Sequence, residues 1–184
     1  SVEEVVEELK KIHEDVKRKI DEVLKRLKRI NDELRKRIRE VLERLRREAE
    51  KLMEAIRRDA RDRDTVKKLE EELRRLLKRL EDTARELVKR SDKLLEDTER
   101  TARKLKEDHD RVRKKIEDLV REGVSDDILR EMLKESKELV KRSEKTLREL
   151  EKRHRDLVRE VEETLKELER EVERKVREVE RRVR

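Results

Sequence analysis

The sequence has 184 residues, of which 60% are charged and 31% hydrophobic, and it contains no Phe, Tyr, Trp, Pro or Cys. Without cysteine there is neither a disulfide framework nor a thiolate for catalysis or soft-metal binding. Its apolar runs are at most two residues long, which excludes a membrane span or a signal-peptide core within this sequence. A chain with this much charge folds only if its apolar residues are placed to form a core, so their spacing decides the fold.

The charged residues are mixed along the whole chain. A net charge of +7 arises from 59 basic and 52 acidic residues, and neither sign is gathered into a block. This distribution favours a solvated surface over a basic patch for nucleic acid or anionic lipid. No aromatic residue is present to stack on a base or to anchor a helix in lipid. We therefore expect no specific nucleic-acid binding, no membrane binding, and only weak adhesion to polyanions at low salt.

Apolar residues in the first third of the chain recur at steps of three and four from Val2 to Ala60. This spacing is typical of an α-helix and not of a strand. After Ala60 the apolar series slips by one position, and Asp64 with Thr65 offers side-chain oxygens that can cap a new helix. The sequence therefore predicts a first turn near Arg61–Asp64.

A second break is marked by Glu-Gly-Val-Ser-Asp-Asp at residues 122–127. Gly123 can take the left-handed conformation that ends a helix, and Ser125 can cap the next helix ahead of two aspartates that suit its dipole. The predicted helices cover residues of about 2–60, 65–121 and 126–183. Each is roughly 85 Å long at about 1.5 Å per residue, and turns this short make sequential helices antiparallel.

Each predicted helix repeats its apolar positions every eighteen residues. Columns in the first helix are Val2, Ile20, Ile38; Val5, Val23, Val41; and Leu9, Leu27, Leu45. Eighteen residues make five turns of an undistorted α-helix, whereas seven- and eleven-residue repeats wind supercoils of opposite hand. The predicted fold is therefore all-α: a straight (untwisted) antiparallel three-helix bundle with 18-residue periodicity, forming a single elongated domain over residues 1–184.

A few uncharged polar residues occupy the same columns. They are His13 and Asn31 (with Ala49) in helix 1, Ser91 and His109 (with Leu73) in helix 2, and Ser136 and His154 (with Val172) in helix 3. In an antiparallel pair, residues at one height have residue numbers with a constant sum. This rule predicts a layer of His13, His109 and Ser136, a layer of Asn31, Ser91 and His154, and a dry layer of Ala49, Leu73 and Val172. Because buried polar groups are costly unless they are paired, such layers would favour one register and one topology.

Other hydroxyl residues near the seams are given smaller roles. Ser143 and Thr98 are interpreted as small seam residues and not as members of a network. A further four threonines are interpreted as boundary residues that could make flanking contacts: Thr83, Thr101, Thr146 and Thr164.

The predicted layers do not favour metal binding or catalysis. Structural zinc requires four ligands, but Ser136 fills the third position beside His13 and His109. A Ser–His pair inside a packed bundle has no cleft for a substrate and no oxyanion donors. We therefore expect no catalytic residue, no metal ligand and no cofactor.

The eighteen-residue columns, the aligned His, Asn and Ser layers and the Lys, Arg and Glu surface resemble the family of de novo designed, parametrically generated helical bundles with buried hydrogen-bond networks. The resemblance covers the whole chain. It implies a structural scaffold or a test of hydrogen-bond-network specificity, without natural biochemical function or enzymatic activity. The compartment is not indicated, although a synthetic protein of this kind is expected to be soluble in the cytoplasm of an expression host. Departures from the family are a first turn without Gly or Pro and a valine seam at the end of helix 3: Val172, Val176, Val179 and Val183.

The alternative function is a helical interaction module that pairs with a second copy or with a designed partner helix, and that responds to pH through its buried histidines. Its anchors would be Leu24, Leu42 and Met53, which widen the apolar stripe of helix 1. A stripe just wide enough for three helices instead favours a monomer that requires no partner. A natural charged-helix spacer would not need a continuous apolar seam.

Overall fold

The computed structural model describes residues 1–183 and contains three α-helices, α1 (Val2–Asp59), α2 (Arg63–Arg121) and α3 (Asp126–Val183). These residues include no strand, and side chains of each helix contact both other helices. The prediction of an all-α three-helix bundle is confirmed. Within this part of the chain, no helix has a stretch apolar enough to cross a lipid bilayer. Arg184, which the predicted domain includes, lies outside the described residues.

The ends of α1 suit the helix dipole. The amide of Glu4 donates to Ser1 Oγ at 3.3 Å, so Ser1 caps the first turn. Glu3 and Glu4 lie in that turn, and Arg57 and Arg58 lie in the last turn. Negative charge at the amino end and positive charge at the carboxyl end both stabilise a helix.

The first turn differs from the prediction, which placed the cap at Asp64 and Thr65. The capping residue is Asp62, whose carboxylate accepts from the amide of Asp64 and from the hydroxyl of Thr65, each at 3.2 Å. Its carbonyl accepts from the amide of Val66 at 3.1 Å. The predicted cap was wrong because an aspartate caps equally well two positions earlier. The earlier cap lets α2 begin at Arg63 and leaves Asp64 in the first turn, where the dipole favours it.

The second turn has the predicted chemistry. Gly123 has φ of 75°, a left-handed conformation that glycine adopts without steric cost. Its amide donates to the carbonyl of Val120 at 3.2 Å, and the amide of Val124 donates to the carbonyl of Leu119 at 3.3 Å. These two bonds define a Schellman motif, which satisfies the last carbonyls of α2. Ser125 then occupies the cap position, since α3 begins at the next residue.

The directions of the helices can be read from the ion pairs between them. Helices α1 and α3 run in the same direction, because residues 125 positions apart are paired in Arg26–Glu151, Arg37–Glu162 and Arg44–Glu169. Helices α1 and α2 run in opposite directions, because the residue numbers have the same sum in Lys17–Asp110, Arg46–Glu81 and Arg57–Glu70.

The chain forms two compact units, each of which takes part of every helix. Unit 1 comprises Ser1–Ile30 and Leu94–Arg155, and unit 2 comprises Asn31–Lys93 and Asp156–Arg184. The expectation of a single domain stays a prediction.

The apolar cores of the two units are built from the eighteen-residue columns. Unit 1 has one cluster that includes Val16, Ile20, Leu27, Leu147 and Leu150, and another that includes Leu9, Ile116 and Met132. Unit 2 has a cluster of Leu52, Ile56, Leu69, Leu73 and Val179. On α1 of unit 1, His13 therefore lies between an apolar residue of one cluster, Leu9, and an apolar residue of the other, Val16.

Candidate functional site in the buried polar residues

Four polar side chains meet in the core of unit 1 and form what we term the histidine cluster: His13 of α1, His109 of α2, and Ser136 and Ser143 of α3. The Nδ1 atoms of the two imidazoles lie 2.7 Å apart. Nε2 of His13 lies 2.9 Å from Ser136 Oγ, and Nε2 of His109 lies 2.8 Å from Ser143 Oγ. All four residues have 0% exposure. A continuous series of hydrogen bonds therefore joins the three helices inside the core.

The donors and acceptors in this series are constrained by imidazole chemistry. A neutral imidazole has one N–H and one bare nitrogen, so one Nδ1 donates to the other across the 2.7 Å contact. If His13 donates through Nδ1, its Nε2 accepts from Ser136, and Nε2 of His109 donates to Ser143. The opposite pair of tautomers reverses all three bonds. Either arrangement gives a partner to every nitrogen of both rings.

Burial keeps both imidazoles of the cluster neutral near pH 7. Burial, and then repulsion from a protonated His13, lowers the pKa of His109 from 6.5 to about 4. Burial, and then the positive charge of Arg113, lowers the pKa of His13 below its usual value. In each case loss of hydration is the largest cause, since the charged imidazolium loses more by burial than the neutral ring.

A third buried imidazole in unit 1, His154 of α3, pairs with Thr98 of α2. Nε2 of His154 lies 2.8 Å from Thr98 Oγ1, and the same hydroxyl donates to the carbonyl of Leu94 at 2.8 Å. Because a hydroxyl has a single proton, Nε2 of His154 must donate to Thr98. Burial lowers the pKa of His154 as well, so this ring is also neutral near pH 7, with its proton on Nε2.

Unit 2 has a buried polar pair of a different kind, between Asn31 of α1 and Ser91 of α2. The hydroxyl of Ser91 donates to Oδ1 of Asn31, and both residues are 2% exposed. The predicted dry layer also lies in this unit, where all three members are buried: Ala49, Leu73 and Val172. All three histidines of the chain belong to unit 1, so the buried polar pair of unit 2 contains no titratable group.

The structure brings together the first predicted layer and adds a residue to it. His13 contacts both His109 and Ser136. Ser143, interpreted from the sequence as a small seam residue, contacts His109, and that interpretation was wrong. The constant-sum rule considers only residues at one height, whereas the two nitrogens of an imidazole can reach partners at different heights on a neighbouring helix.

The second predicted layer is divided between two pairs. Asn31 and Ser91 are bonded to each other in unit 2. His154 is bonded in unit 1 to Thr98, which had also been interpreted as a small seam residue. That interpretation was wrong too. The signal that could have identified Thr98 is its position in the apolar column of Leu80 and Ile116, and the residue is 1% exposed.

The four threonines assigned to the boundary are all half-buried: Thr83, Thr101, Thr146 and Thr164. The hydroxyl of Thr146 donates to the carbonyl of Arg142 in its own helix at 3.0 Å. A bond of this kind needs no partner on another helix. A boundary role explains these residues without adding them to the buried pairs.

The geometry of the cluster does not suit a metal ion. Among residues 1–183, no group of three or more His, Asp or Glu side chains converges as potential ligands. The two imidazoles present their Nδ1 atoms to each other at 2.7 Å. An ion between them at zinc–nitrogen distances of about 2.0–2.1 Å would need the nitrogens farther apart.

Two open grooves lie on the surface of unit 2. One, of about 490 Å³, has an apolar floor of Leu52, Ala55 and Val176. The other, of about 310 Å³, has an apolar floor of Ile38, Leu42, Ala84 and Val88. Charged side chains of both signs line the first groove, whereas four arginines and one glutamate line the second, which is therefore predominantly basic.

These features define an all-α class of protein, a three-helix bundle whose core contains hydrogen bonds between helices. No protein-family model matches the sequence, and no curated protein or solved structure matches it significantly.

Proposed function

We propose that this chain is a designed structural scaffold in which buried polar pairs select one arrangement of the three helices. The observation that carries the proposal is the unbroken series of bonds from Ser136 through His13 and His109 to Ser143. It spans all three helices, and every ring nitrogen in it has a partner. Among residues 1–183, no buried side-chain nitrogen or oxygen lacks a hydrogen bond.

Polar pairs supply the directional contacts that the apolar columns lack. Apolar burial is non-directional, and columns of similar residues every eighteen positions can pack in more than one arrangement. A hydrogen bond is directional, and a buried donor or acceptor without a partner costs about 1–3 kcal/mol. An arrangement that separates His13 from His109 leaves several such groups unpaired. The polar pairs therefore widen the free-energy gap between the native arrangement and other packed arrangements of the helices. They add less to the free-energy difference between the native and the unfolded chain.

Burial of the cluster also supports a scaffold without catalytic activity. His13 and Ser136 are in contact at 2.9 Å, a distance suitable for activating a hydroxyl. Both are 0% exposed, and catalysis requires that a substrate reach the hydroxyl. This Ser–His pair has a structural role in the proposal.

An apolar version of the cluster tests the proposal. The variant combines His13→Leu, His109→Leu, Ser136→Ala and Ser143→Ala, and we term it the dry variant. Because the chain has no cysteine, spin labels can be attached in pairs at introduced cysteines. Suitable exposed positions in unit 1 are Arg29 on α1, Arg103 on α2 and Arg148 on α3.

The parent should give one narrow distance distribution for each label pair. The dry variant should melt at the same or a higher temperature, because apolar replacement of a buried polar group is often neutral or stabilising. Its distance distributions should broaden or become multiple. A dry variant with unchanged narrow distributions would contradict the proposal, and so would one that fails to fold.

The helical interaction module remains a second candidate, supported by the groove at Leu42. Leu42 is half-buried there beside Val88, which leaves an apolar surface available to another helix. Sedimentation velocity over a concentration series distinguishes the candidates. A scaffold that needs no partner should sediment as a monomer throughout, whereas self-pairing at this groove should give dimers that Leu42→Glu removes.

A further inference from the structure

The bond between the two imidazoles of the histidine cluster can accept one added proton but not two. In the neutral pair, one Nδ1 donates to the other. An added proton converts the donor ring to an imidazolium, whose Nδ1–H still donates to the neutral ring. Both Nε2 atoms then donate to the oxygens of Ser136 and Ser143, which can accept because a hydroxyl has two lone pairs. All three bonds of the series survive the first proton.

A second proton makes both Nδ1 atoms donors. Two N–H groups would then face each other across 2.7 Å, and two positive rings would be in contact. Both rings have 0% exposure, so neither can turn toward water unless the helices separate. The cluster therefore has a limit of one added proton, which is set by its geometry.

Charged groups around the cluster offer no ready counterion. Glu135 and Arg142, adjacent in sequence to the two serines of the cluster, are exposed to solvent. The other charged side chains that flank it are Glu14 and Lys17 on α1, Asp108, Asp110 and Arg113 on α2, and Lys137 and Glu144 on α3. Each is already in an ion pair: Glu14–Arg113, Lys17–Asp110, Asp108–Arg111, Lys137–Glu8 and Glu144–Lys19. A carboxylate could neutralise an imidazolium only by leaving its present partner.

We propose that the histidine cluster is an acid-triggered switch, in which unit 1 holds one proton between His13 and His109 and opens when the pair binds a second, while unit 2 keeps its structure. This behaviour goes beyond a scaffold role, because it gives the bundle two states that differ in one unit.

His154 is not part of the switch, although it is buried in the same unit. Its Nε2–H donates to Thr98, and its other nitrogen is bare. No buried side-chain nitrogen within residues 1–183 lacks a partner, and no protein partner is present for Nδ1 of His154, so this atom retains contact with solvent. It can take a proton without losing the bond to Thr98, which makes His154 an internal control.

The first test is a titration of the intact parent, followed by NMR of the imidazole nitrogens from pH 8 to pH 3. The pair should titrate in two steps. In the first step, Nδ1 signals of His13 and His109 should take values intermediate between protonated and bare nitrogen. The second step should coincide with loss of dispersed unit 1 signals. Independent single-step titrations of the two rings would overturn the proposal.

The second test compares the two units in the same molecules by hydrogen–deuterium exchange, with rates normalised to the intrinsic exchange at each pH. Between pH 7.5 and pH 4, protection in unit 1 helices around the cluster should fall by about tenfold or more, and protection in unit 2 should change by less than about twofold. His154→Asn should preserve this difference, and the dry variant should abolish it. Equal loss in both units, or a difference that depends on His154, would overturn the proposal. If the dry variant does not fold, the comparison within the parent still decides.

Discussion

Units 1 and 2 share three helices and an eighteen-residue repeat, yet they fill equivalent core positions differently. One column of α2 places His109 in unit 1 and Leu73 in unit 2, and both residues are 0% exposed. The column of α1 places His13 in unit 1 and Ala49 in unit 2. The same helical repeat therefore accommodates either polar or apolar residues at these positions.

The difference lies in what each residue requires of its neighbours. Leu73 needs only apolar surface, which many arrangements of the helices provide. His109 needs an acceptor or donor at each of two nitrogens, and it finds them on two other helices, at His13 and at Ser143. The core of unit 1 thus accepts fewer arrangements of the helices than the core of unit 2, and its stability is more sensitive to substitution and to protonation. The predicted effects on unit 1 can each be compared with unit 2.

The largest effect is expected from His109→Leu alone. This change leaves Nδ1 of His13 and the hydroxyl of Ser143 without their partner, and each unpaired buried group costs about 1–3 kcal/mol. We expect the free energy of unfolding to fall by about 2–5 kcal/mol in guanidinium denaturation at pH 7.5. The dry variant is the control, and it should regain the loss because it removes the stranded groups as well. A loss below about 0.5 kcal/mol would mean that the cluster is no more demanding than an apolar layer.

The second prediction is that the two units respond to acid in different pH ranges. In unit 1 the buried histidines have lowered pKa values, about 4 for His109, so below pH 6.5 the unfolded chain binds more protons than the folded one. The contribution of these histidines to the free energy of unfolding is therefore fully present above pH 6.5. It declines toward pH 4, by roughly 3 kcal/mol for His109 alone. In unit 2 the Lys175 ammonium, by hydrogen bonding, holds the pKa of the Glu72 carboxyl below its usual 4.5. That contribution is present above pH 4.5 and is lost only as the pH falls further.

Denaturation midpoints at pH 7.5 and pH 5 measure the histidine contribution, with His13→Asn, His109→Asn and His154→Asn combined as the control. Other carboxylates contribute equally to parent and control, so the difference between them isolates the imidazoles. A midpoint shift of the same size in both proteins would show that the histidines do not link stability to pH.

A smaller effect is expected from Thr98→Val, which conserves shape and removes one hydroxyl. Nε2–H of His154 and the carbonyl of Leu94 both lose this partner, and we expect a loss of about 1–2 kcal/mol. Thr101→Val is the matched control, because Thr101 is half-buried on the same helix and should change stability by less than about 0.5 kcal/mol. Equal losses from both substitutions would place Thr98 among the boundary threonines.

The sequence predicted the helices and the α1/α2 partners well because both depend on periodic positions. The two α1/α2 pairs are His13–His109 and Asn31–Ser91. From the first pair to the second, the position moves eighteen residues forward on α1 and eighteen residues back on α2, so the constant-sum rule identified both pairs. The first cap was misplaced because Asp62 and Asp64 have the same capping chemistry.

The α2/α3 partners could not be found in the same way. The two α2/α3 pairs, His109–Ser143 and Thr98–His154, share one register. From the first pair to the second, the position moves eleven residues back on α2 and eleven residues forward on α3. That register is displaced from the predicted one by seven residues, about two helical turns. The sequence contains the candidates for both registers, because Ser136 and Ser143 are both seam residues. Spacing alone does not choose between them, because it does not encode the direction of a side chain.

The smallest effect concerns the surface, where the two units should be alike. Arg26–Glu151 in unit 1 and Arg44–Glu169 in unit 2 occupy equivalent positions, eighteen residues apart on both helices. The nitrogen–oxygen distances are 3.2 and 2.6 Å, and the exposures of the arginines are 58% and 51%. Double-mutant cycles to alanine should give couplings of about 0.2–1 kcal/mol for each pair, since exposed ion pairs are weakened by water and by side-chain entropy. Both couplings should shrink in 1 M salt, where the screening length is about 3 Å. If the cycles differ by more than about 0.5 kcal/mol, the units differ in their surfaces as well as in their cores, and the acid and mutational contrasts above could no longer be assigned to the buried histidines alone.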